Sequence, residues 1–246
     1  MQKKSKKPLA IGALAVLLVA FAVGGTIAWL TAANSVTNTF TVGEITEPTK
    51  PPTGEPDPGT PDDEYILDGN IYEVFGPDTT IIPGENVVKR PWVGIGEGSQ
   101  DSFVFAYVDN KMMAEGAGGA DSAYFVLNDG WAPVSGKATE YKVDPKIDNA
   151  YTGGLFVWVG SGHDATTPVA LIGNESADVW TTNPVFNAVE IPDSAVADDF
   201  AGKNPTMDVW CYIIAKSDDV DGNKAIEEAS AWANSPAIVN GTAATA

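Results

Sequence analysis

Apolar and polar positions alternate with a period of two along residues 29–45, directly behind an apolar N-terminal run. β-Branched residues dominate the stretch, and no 3.6-residue spacing of apolar positions occurs in it. Both features are typical of a β-strand and not of a helix. One face of the predicted strand carries Val36, Asn38, Phe40 and Val42, and the other carries Thr37, Thr39 and Thr41.

Further strand patterns follow from residue 65 onward. The run YILDGNIYEVF contains an Asp-Gly turn between two short apolar runs, which predicts a hairpin. The run SFVFAYVDN, residues 102–110, is apolar on both faces, as expected for a central strand of a sandwich. The other predicted strands are NVVKRPWV, with Pro91 near its end, YFVLNDGWAPV, GLFVWVG, PVALIG, PVFNAVEIP and MDVWCYIIAK.

One helix is predicted near the C-terminus, over residues 223–232. Glu227 and Glu228 are expected in its first turns, where the helix dipole favours acidic side chains. Turn signals between the strands recur at intervals typical of sandwiches. The chain is therefore predicted to be all-β, a jelly-roll-like antiparallel β-sandwich with one short C-terminal helix. Apolar residues recur at helical spacing in that helix, at Ala225, Ala229 and Trp232.

Proline, glycine and acidic residues are concentrated in residues 46–64, TEPTKPPTGEPDPGTPDDE. This composition predicts an extended, partly polyproline tether with no means of burying apolar area. The predicted organisation is a signal peptide at 1–28, a strand at 29–45, a linker at 46–64 and a β-sandwich domain at 65–246.

The N-terminus has the pattern of an export signal. Four lysines lie within residues 3–7, and an apolar run extends from Leu9 to Val23. Thr26 and Ala28 occupy the −3 and −1 positions of a cleavage site before Trp29. An uncleaved anchor is the alternative, since the apolar run is barely long enough to span a bilayer. In both cases the lysines place the body of the chain outside the membrane, so a secreted or cell-surface protein is expected.

The charge of the chain is strongly acidic outside its leader. The formal net charge is −19, and without the four leader lysines ten basic and 33 acidic side chains remain, a charge of −23. An acidic surface repels phosphate backbones, so nucleic acid is not an expected partner. The single cysteine, Cys211, excludes an internal disulfide, which for an exported chain is typical of a Gram-positive envelope. Its apolar flanks predict a buried, unreactive thiol.

Little in the sequence indicates catalysis. His163 is the only histidine, so a two-histidine metal site is impossible. Its flanks are more typical of a surface turn than of a Ser-His-Asp triad. Carboxylates are abundant, but nothing positions a pair of them for glycoside hydrolysis. The chain is therefore predicted not to be an enzyme and to need no cofactor.

A calcium loop is the most specific alternative, in the run SDDVDGNKAIEE. With Ser217 at position 1, Asp219, Asp221 and Glu228 fall at positions 3, 5 and 12. Serine removes the carboxylate expected at position 1. The other interpretation is an acidic turn leading into the helix, with Asp221 or Asn223 as its N-cap.

The segment GGTIAWLTAANSVTNTFTVG, residues 24–43, resembles the N-terminus of the TasA/camelysin family of exported Gram-positive proteins. The shared pattern is Gly-Gly-Thr, an aromatic residue, a polar stretch, Asn-Thr-Phe and a hydrophobic-Gly pair. Residues 81–110, NPVFNAVEIP and MDVWCYIIAKSDD…AIEEASAWANS resemble later parts of the family, whereas the Pro-rich insert and residues 110–200 correspond only in patches. The N-terminal pattern lies at Gly24, Gly25, Thr26, Trp29, Asn38, Thr39, Phe40, Val42 and Gly43.

The resemblance implies processing by a signal peptidase of the SipW type and a structural role in extracellular biofilm-matrix fibres. A strand just behind the cleavage site then suggests donor-strand assembly, in which it completes the sheet of the next copy, head to tail. Other matrix components are further possible partners. The alternative is a monomeric cell-surface binding module or adhesin, whose first strand pairs with its own sheet.

Overall fold

The computed structural model of the chain describes residues 45–55, 65–75, 82–112, 121–161, 167–195 and 206–235. Two compact units divide the chain, Met1–Ala33 and Asn34–Ala246, and every described residue belongs to the second unit. In these ranges the elements follow one another as β1 (Tyr65–Asp68), β2 (Ile71–Phe75), β3 (Asn86–Ile95), β4 (Ser102–Asn110), β5 (Phe125–Val126), β6 (Trp131–Glu140), β7 (Ala150–Trp158), β8 (Val179–Trp180), β9 (Ala188–Glu190), β10 (Met207–Ala215) and α1 (Gly222–Ala233).

The strands form two five-stranded antiparallel sheets. Sheet A has the order β1-β2-β3, with β8 and β9 both paired to the far side of β3. Sheet B has the order β10-β4-β7, with β5 and β6 paired to β7. The predicted all-β antiparallel sandwich with one short C-terminal helix is confirmed.

The main hydrophobic core lies between the two sheets, and a second cluster lies between sheet B and the helix. Strand β10 contributes to both because its side chains alternate. Met207, Val209, Cys211, Ile213 and Ala215 belong to the main core, whereas Trp210, Tyr212 and Ile214 belong to the cluster that includes the buried face of α1. Both faces of β10 are therefore covered, and its nine residues are all buried.

Several strand predictions are confirmed, because alternation and turn residues are local signals. The β1–β2 hairpin turns at Gly69 and Asn70, and Gly69 has a positive φ of 55° that suits a glycine. Strand β4 lies between β10 and β7, as its two apolar faces predicted. The run YFVLNDGWAPV is not one strand, since a turn before Trp131 separates β5 from β6.

Strand β3 extends further than predicted, and Pro91 lies in its middle. Pro91 is opposite Glu73 of β2, and its carbonyl oxygen accepts a hydrogen bond from Val185 N at 2.7 Å. On that side of β3, β8 pairs with one end of the strand and β9 with the other. The missing N–H of proline thus faces the gap between the two short strands, where no ladder bond is lost.

The helix α1 confirms the predicted element and corrects one detail of it. Asp221 is the N-cap, and its carboxylate accepts a hydrogen bond from Lys224 N at 2.8 Å. No acidic residue lies in the first turn. Glu227 and Glu228 instead form ion pairs with Lys224, at 3.1 Å and 2.8 Å, so their predicted interaction with the helix dipole is wrong. Ala225, Ala229 and Trp232 form the buried face, as predicted.

Candidate functional site

One side of the sandwich is closed by hydrogen bonds between the two sheets. Tyr124, just before β5 of sheet B, and Glu190 of β9 exchange two backbone hydrogen bonds, at 3.0 Å and 2.7 Å. Asn128 N donates to Val185 O at 3.0 Å further along the same line. This line is called the seam, and it leaves no unpaired edge between β5 and β9 at these positions.

The opposite side, formed by β1 and β10, is called the open side. Among the described residues, β1 pairs only with β2 and β10 pairs only with β4. The backbone bonds at the two ends of β10, Lys111 N to Thr206 O (2.8 Å) and Lys216 N to Asp101 O (2.7 Å), show that its even-numbered residues bond to β4. In an antiparallel pair the odd-numbered residues therefore direct their N–H and C=O groups away from β4. A buried strand of nine residues thus has one free backbone edge within the described structure.

Ile45, the last residue of the predicted strand, is the first residue that the structure describes. Ile45 is buried in the main core together with side chains of β10. Thr46 is fixed by its backbone, since its carbonyl oxygen accepts from Gly96 N at 2.7 Å and its N–H donates to Ser99 Oγ at 2.9 Å. Asn70 Nδ2 adds a second hydrogen bond to the Thr46 carbonyl at 3.3 Å. The point at which residues 29–44 join the sandwich is therefore rigidly defined.

Residues 45–55, called the strap, continue from this point and are held by Asp178. The Asp178 carboxylate accepts hydrogen bonds from the backbone N–H groups of Thr49 (2.7 Å), Lys50 (2.9 Å) and Glu97 (3.0 Å). The Thr49 hydroxyl donates a further, longer bond at 3.3 Å. Partial burial favours the neutral carboxyl, but the hydrogen bonds outweigh that effect and hold the pKa of Asp178 below its usual value.

The strap adjoins an aromatic cluster on the outer face of sheet A. Tyr72 lies 5.8 Å from the Trp92 ring and 6.2 Å from the Trp180 ring, measured between centroids. Trp180 Nε1 donates to Lys50 O at 3.1 Å, and Pro48 and Pro52 of the strap are buried. At the far end Glu55 pairs with Arg90 at 3.4 Å, and Arg90 lies over Trp92.

Residues 46–55 are docked on the sandwich, whereas the sequence predicted a free tether. Their composition was expected to bury no apolar area, yet Pro48 and Pro52 are buried and the strap makes hydrogen bonds along most of its length. The physical reason is that proline rings are apolar and need no N–H partner, while the sandwich supplies partners for the remaining backbone groups. Residues 56–64 of the predicted linker lie outside the described residues.

A buried ion pair lies on the inner face of sheet A. Glu73 of β2 contacts Lys89 Nζ of β3, and the two side chains are 0% and 8% exposed. Burial raises the pKa of Glu73 against the opposing effect of Lys89, and the negative charge of Asp208 on β10 raises it further. Glu73 lies in the middle of β2, opposite Pro91 of β3. Its Oε2 atom has no hydrogen-bond partner within the described structure.

Asp208 belongs to a neighbouring group of charges at the start of β10. Lys111 Nζ contacts the Asp208 carboxylate at 2.8 Å and that of Asp109 at 3.4 Å. The two carboxylates raise the pKa of Lys111, although partial burial acts in the opposite direction. Lys111 thus pairs with both carboxylates, and one of them belongs to a buried residue, Asp208.

The residues predicted for processing and assembly lie in residues 1–44, outside the described structure. They are the cleavage-site residues Thr26, Ala28 and Trp29 and the strand residues Val36, Asn38, Phe40 and Val42. His163 also lies outside the described ranges. Cys211 is described and buried, and burial raises the pKa of its thiol to about 12, which agrees with the predicted unreactive thiol.

The three calcium candidates are not brought together. Ser217 and Val220 close a tight turn, Asp219 is exposed, Asp221 caps α1, and Glu228 pairs with Lys224. No group of three or more His, Cys, Asp or Glu side chains that could hold a metal occurs in the described ranges. The structure thus favours the interpretation of this run as a turn with an N-cap over that of a calcium loop.

No family model, curated protein or solved structure matches the chain. The resemblance to the TasA/camelysin family therefore stays a prediction that rests on the residues quoted for it. In the described part of the chain, no helix combines the length and the apolar character needed to cross a bilayer.

Sequence reasoning missed the roles of Asp178, Glu73 and Lys89. Asp178 lies 129 residues from Thr49 in sequence, so no local pattern could connect them. A signal did exist for Glu73 and Lys89. Side chains of a strand point alternately to its two faces, and Glu73 and Lys89 fall on the face of their strands that is directed toward the core.

Proposed function

We propose that this chain is an exported structural subunit that assembles head to tail into extracellular fibres. The strand at residues 29–44 of one copy lies against the free edge of β10 in the next copy and completes sheet B. The proposal assigns no catalysis to the chain. It is supported chiefly by β10, a fully buried apolar strand whose outer backbone edge has no partner among the described residues.

Two further observations support this assignment. Unpaired edges of long apolar strands attract other strands, so natural sheets protect them. The seam protects the other side of this sandwich, which leaves the open side as the place where a strand can add. Ile45, the residue that follows the proposed donor strand, belongs to the same hydrophobic core as Val209, Cys211 and Ile213 of β10.

The energy balance of strand addition is close, which suits a conditional assembly. Burial of Val36, Phe40 and Val42 contributes about 5–9 kcal/mol. Ladder bonds along the edge of β10 add about 5–15 kcal/mol in total. Ordering about ten residues costs on the order of 10–20 kcal/mol. A single unfavourable side chain in the strand is therefore expected to abolish docking.

The docking of the strap on the sandwich of its own chain favours a second candidate function. Residues 45–55 dock on their own sandwich, so residues 29–44 can also fold back onto the β10 edge of the same copy. A chain completed in this way is a monomeric surface module with no free edge. The strand makes the same contacts whether it docks on its own copy or on the next one, as in domain swapping. Only a measurement of the assembly state therefore distinguishes the monomer from the fibre.

The test uses protein that starts at Trp29, examined by size-exclusion chromatography and electron microscopy over a range of concentrations. Fibres are expected from the unchanged protein and not from Phe40→Asp, while both proteins retain a folded sandwich. Thr39→Asp is the matched control, because it adds the same charge to the opposite face of the predicted strand. Fibres from Phe40→Asp, or an unchanged protein that stays monomeric at all concentrations, would contradict the proposal.

A further inference from the structure

The strap contacts its own sandwich in the way that a proline-rich peptide contacts a separate protein. Residues 48–51 read Pro-Thr-Lys-Pro, a P-x-x-P sequence, and segments of this kind dock on aromatic-lined grooves without joining a sheet. Here Trp180 Nε1 donates to Lys50 O at 3.1 Å, and the Tyr72 ring lies 6.2 Å from that of Trp180. The strap belongs to none of the ten strands. It is therefore bound as a peptide ligand is bound, and not as a strand of the fold.

The other contacts of the strap come from side chains on the surface of the sandwich. The Asp178 carboxylate accepts from two backbone N–H groups of the strap. Arg90 pairs with Glu55 at the far end, at 3.4 Å. Asp178, Trp180 and Arg90 together are called the strap site. Every copy of the chain carries one strap and one strap site, so the strap of a second copy would find the same partners there.

The proposed donor strand and the strap follow each other without a spacer. Ile45 ends the predicted strand, begins the strap and is buried in the main core. Val42 is the nearest apolar residue of the proposed donor strand, three positions earlier. Three extended residues span about 10 Å, which is about the separation of the two sheets within a single sandwich. This length is too short for the chain to leave one core and enter another, so strand and strap are expected to dock on the same sandwich.

Behind the strap the chain has length to spare. Tyr65, at the start of β1, is opposite Val74, and Val74 is opposite Arg90, which binds Glu55. Tyr65 and Arg90 therefore lie two strand spacings apart, about 10 Å. The nine residues 56–64 that join Glu55 to Tyr65 can span about 30 Å. This length fits closure within one copy and leaves a reserve for reaching a neighbouring copy.

We propose that fibre assembly exchanges the strap together with the donor strand, so that residues 45–55 of one copy occupy the strap site of the next copy. The inference rests on the proposed fibre function. Residues 56–64 then connect one sandwich to the next. The contact between copies includes Asp178, Trp180 and Arg90 in addition to the edge of β10. A copy whose strap lies in its own strap site is the closed, unassembled form.

A pair of cysteines can report which copy holds a given strap. Glu47 at the start of the strap and Glu97 on the sandwich are both exposed. Their backbones adjoin, because Thr46 Oγ1 donates to Glu97 O at 2.6 Å and a Cβ on Gly96 would collide with the carbonyl oxygen of Glu47. Replacing the two glutamate side chains leaves these backbone contacts in place.

The first test uses protein that starts at Trp29 and carries both Glu47→Cys and Glu97→Cys. Its fibres are treated with a short bismaleimide, quenched and dissolved in denaturant. Exchange predicts a ladder of covalently joined copies, whereas a strap kept in its own copy gives cross-linked monomers only. Glu47→Cys alone is the control and should give no ladder, because Cys211 is buried. Fibres that dissolve into monomers would overturn the exchange and leave the fibre function standing.

The second test asks whether the strap must leave its own copy. The same variant, cross-linked in dilute monomeric solution, keeps its strap in its own strap site. The concentration at which fibres appear should then rise by about tenfold or more, because the hydrogen bonds of the strap to the Asp178 carboxylate of a second copy cannot form. Protein treated with a monofunctional maleimide is the control and should keep the original threshold. Fibres from the cross-linked protein at that threshold would overturn the proposal.

The assembly state of the unchanged protein separates the two proposals. Protein starting at Trp29 that stays monomeric at every concentration would contradict the fibre function and the exchange together. Fibres without a covalent ladder would contradict the exchange alone.

Discussion

Removal of the Asp178 carboxylate should loosen the strap without disturbing the core. Asp178→Ala takes the acceptor away from three backbone N–H groups, two in the strap and one at Glu97. The side chain is only half-buried and contributes no apolar packing to the main core. Any loss of stability should therefore come from the hydrogen bonds of this one carboxylate.

The expected loss is about 2–4 kcal/mol in the free energy of unfolding. Hydrogen bonds to charged acceptors contribute about 1.5–3 kcal/mol each. The lower part of that range applies, because the freed N–H groups of an exposed loop can bond to water. Asp178→Asn keeps one carbonyl oxygen and should lose somewhat less than Asp178→Ala.

Urea unfolding followed by tryptophan fluorescence measures this loss, and Trp180 reports on the strap because its Nε1 bonds to Lys50 O. Asp148→Ala, at an exposed position, is the matched control. Limited proteolysis should also cut the Asp178→Ala protein faster within residues 45–55 than the control. Equal midpoints and equal cleavage rates for the two variants would refute the assigned role of the carboxylate.

The same interaction predicts a pH dependence of defined sign. The folded-state pKa of Asp178 is lowered, so its contribution to stability is fully present above the ordinary aspartate pKa of 3.8. It is lost as the pH falls below that value through the lower folded-state pKa. The difference in stability between the unchanged protein and Asp178→Asn should accordingly shrink in strong acid and stay constant between about pH 5 and pH 7.

Three further experiments, two with variants and one by thiol labelling, test other parts of the structure. A Cβ at Gly96 would collide with the backbone of Glu47, so Gly96→Ala should displace the start of the strap. The free energy of unfolding measured with urea should fall by about 1–3 kcal/mol, and an unchanged urea midpoint would contradict this contact. Cys211 should not react with a thiol reagent at pH 8 until urea unfolds the protein, because burial raises its pKa to about 12; fast native labelling would show that β10 is accessible. Asp221→Ala should lower the free energy of unfolding by about 1 kcal/mol, because the N-cap acceptor for Lys224 N is lost. Asp221→Asn keeps an acceptor and should be nearly neutral in the same urea assay.

The strands and the helix could be predicted because their signals are local. The alternation in β4, the Asp-Gly turn of the first hairpin and the helical spacing at Ala225, Ala229 and Trp232 each involve neighbouring residues. Boundaries were less certain. Pro91 suggested the end of β3, whereas the strand continues because its partners leave a gap at the proline.

The strap and the buried ion pair could not be predicted in the same way. The composition of residues 46–64 indicates an extended backbone, but whether such a backbone docks depends on distant residues such as Asp178 and Trp180. The calcium interpretation is disfavoured for a different reason, because ligand spacing does not reveal which partners a carboxylate already has. Spacing placed Asp219, Asp221 and Glu228 as ligands, but Lys224 and the helix N-terminus already bind two of the three carboxylates.

The seam between β5 and β9 limits how copies can join. In the proposed fibre, the hydrogen bonds of Tyr124 and Glu190 leave the β10 edge as the acceptor of each sandwich, and residues 29–44 are the one donor strand of each chain. A subunit with one donor and one acceptor has a valency of two, so the proposed polymers grow as unbranched threads. A copy truncated before Ile45 could fill the end of such a thread but could not pass growth on, and a trace of it would set the average thread length.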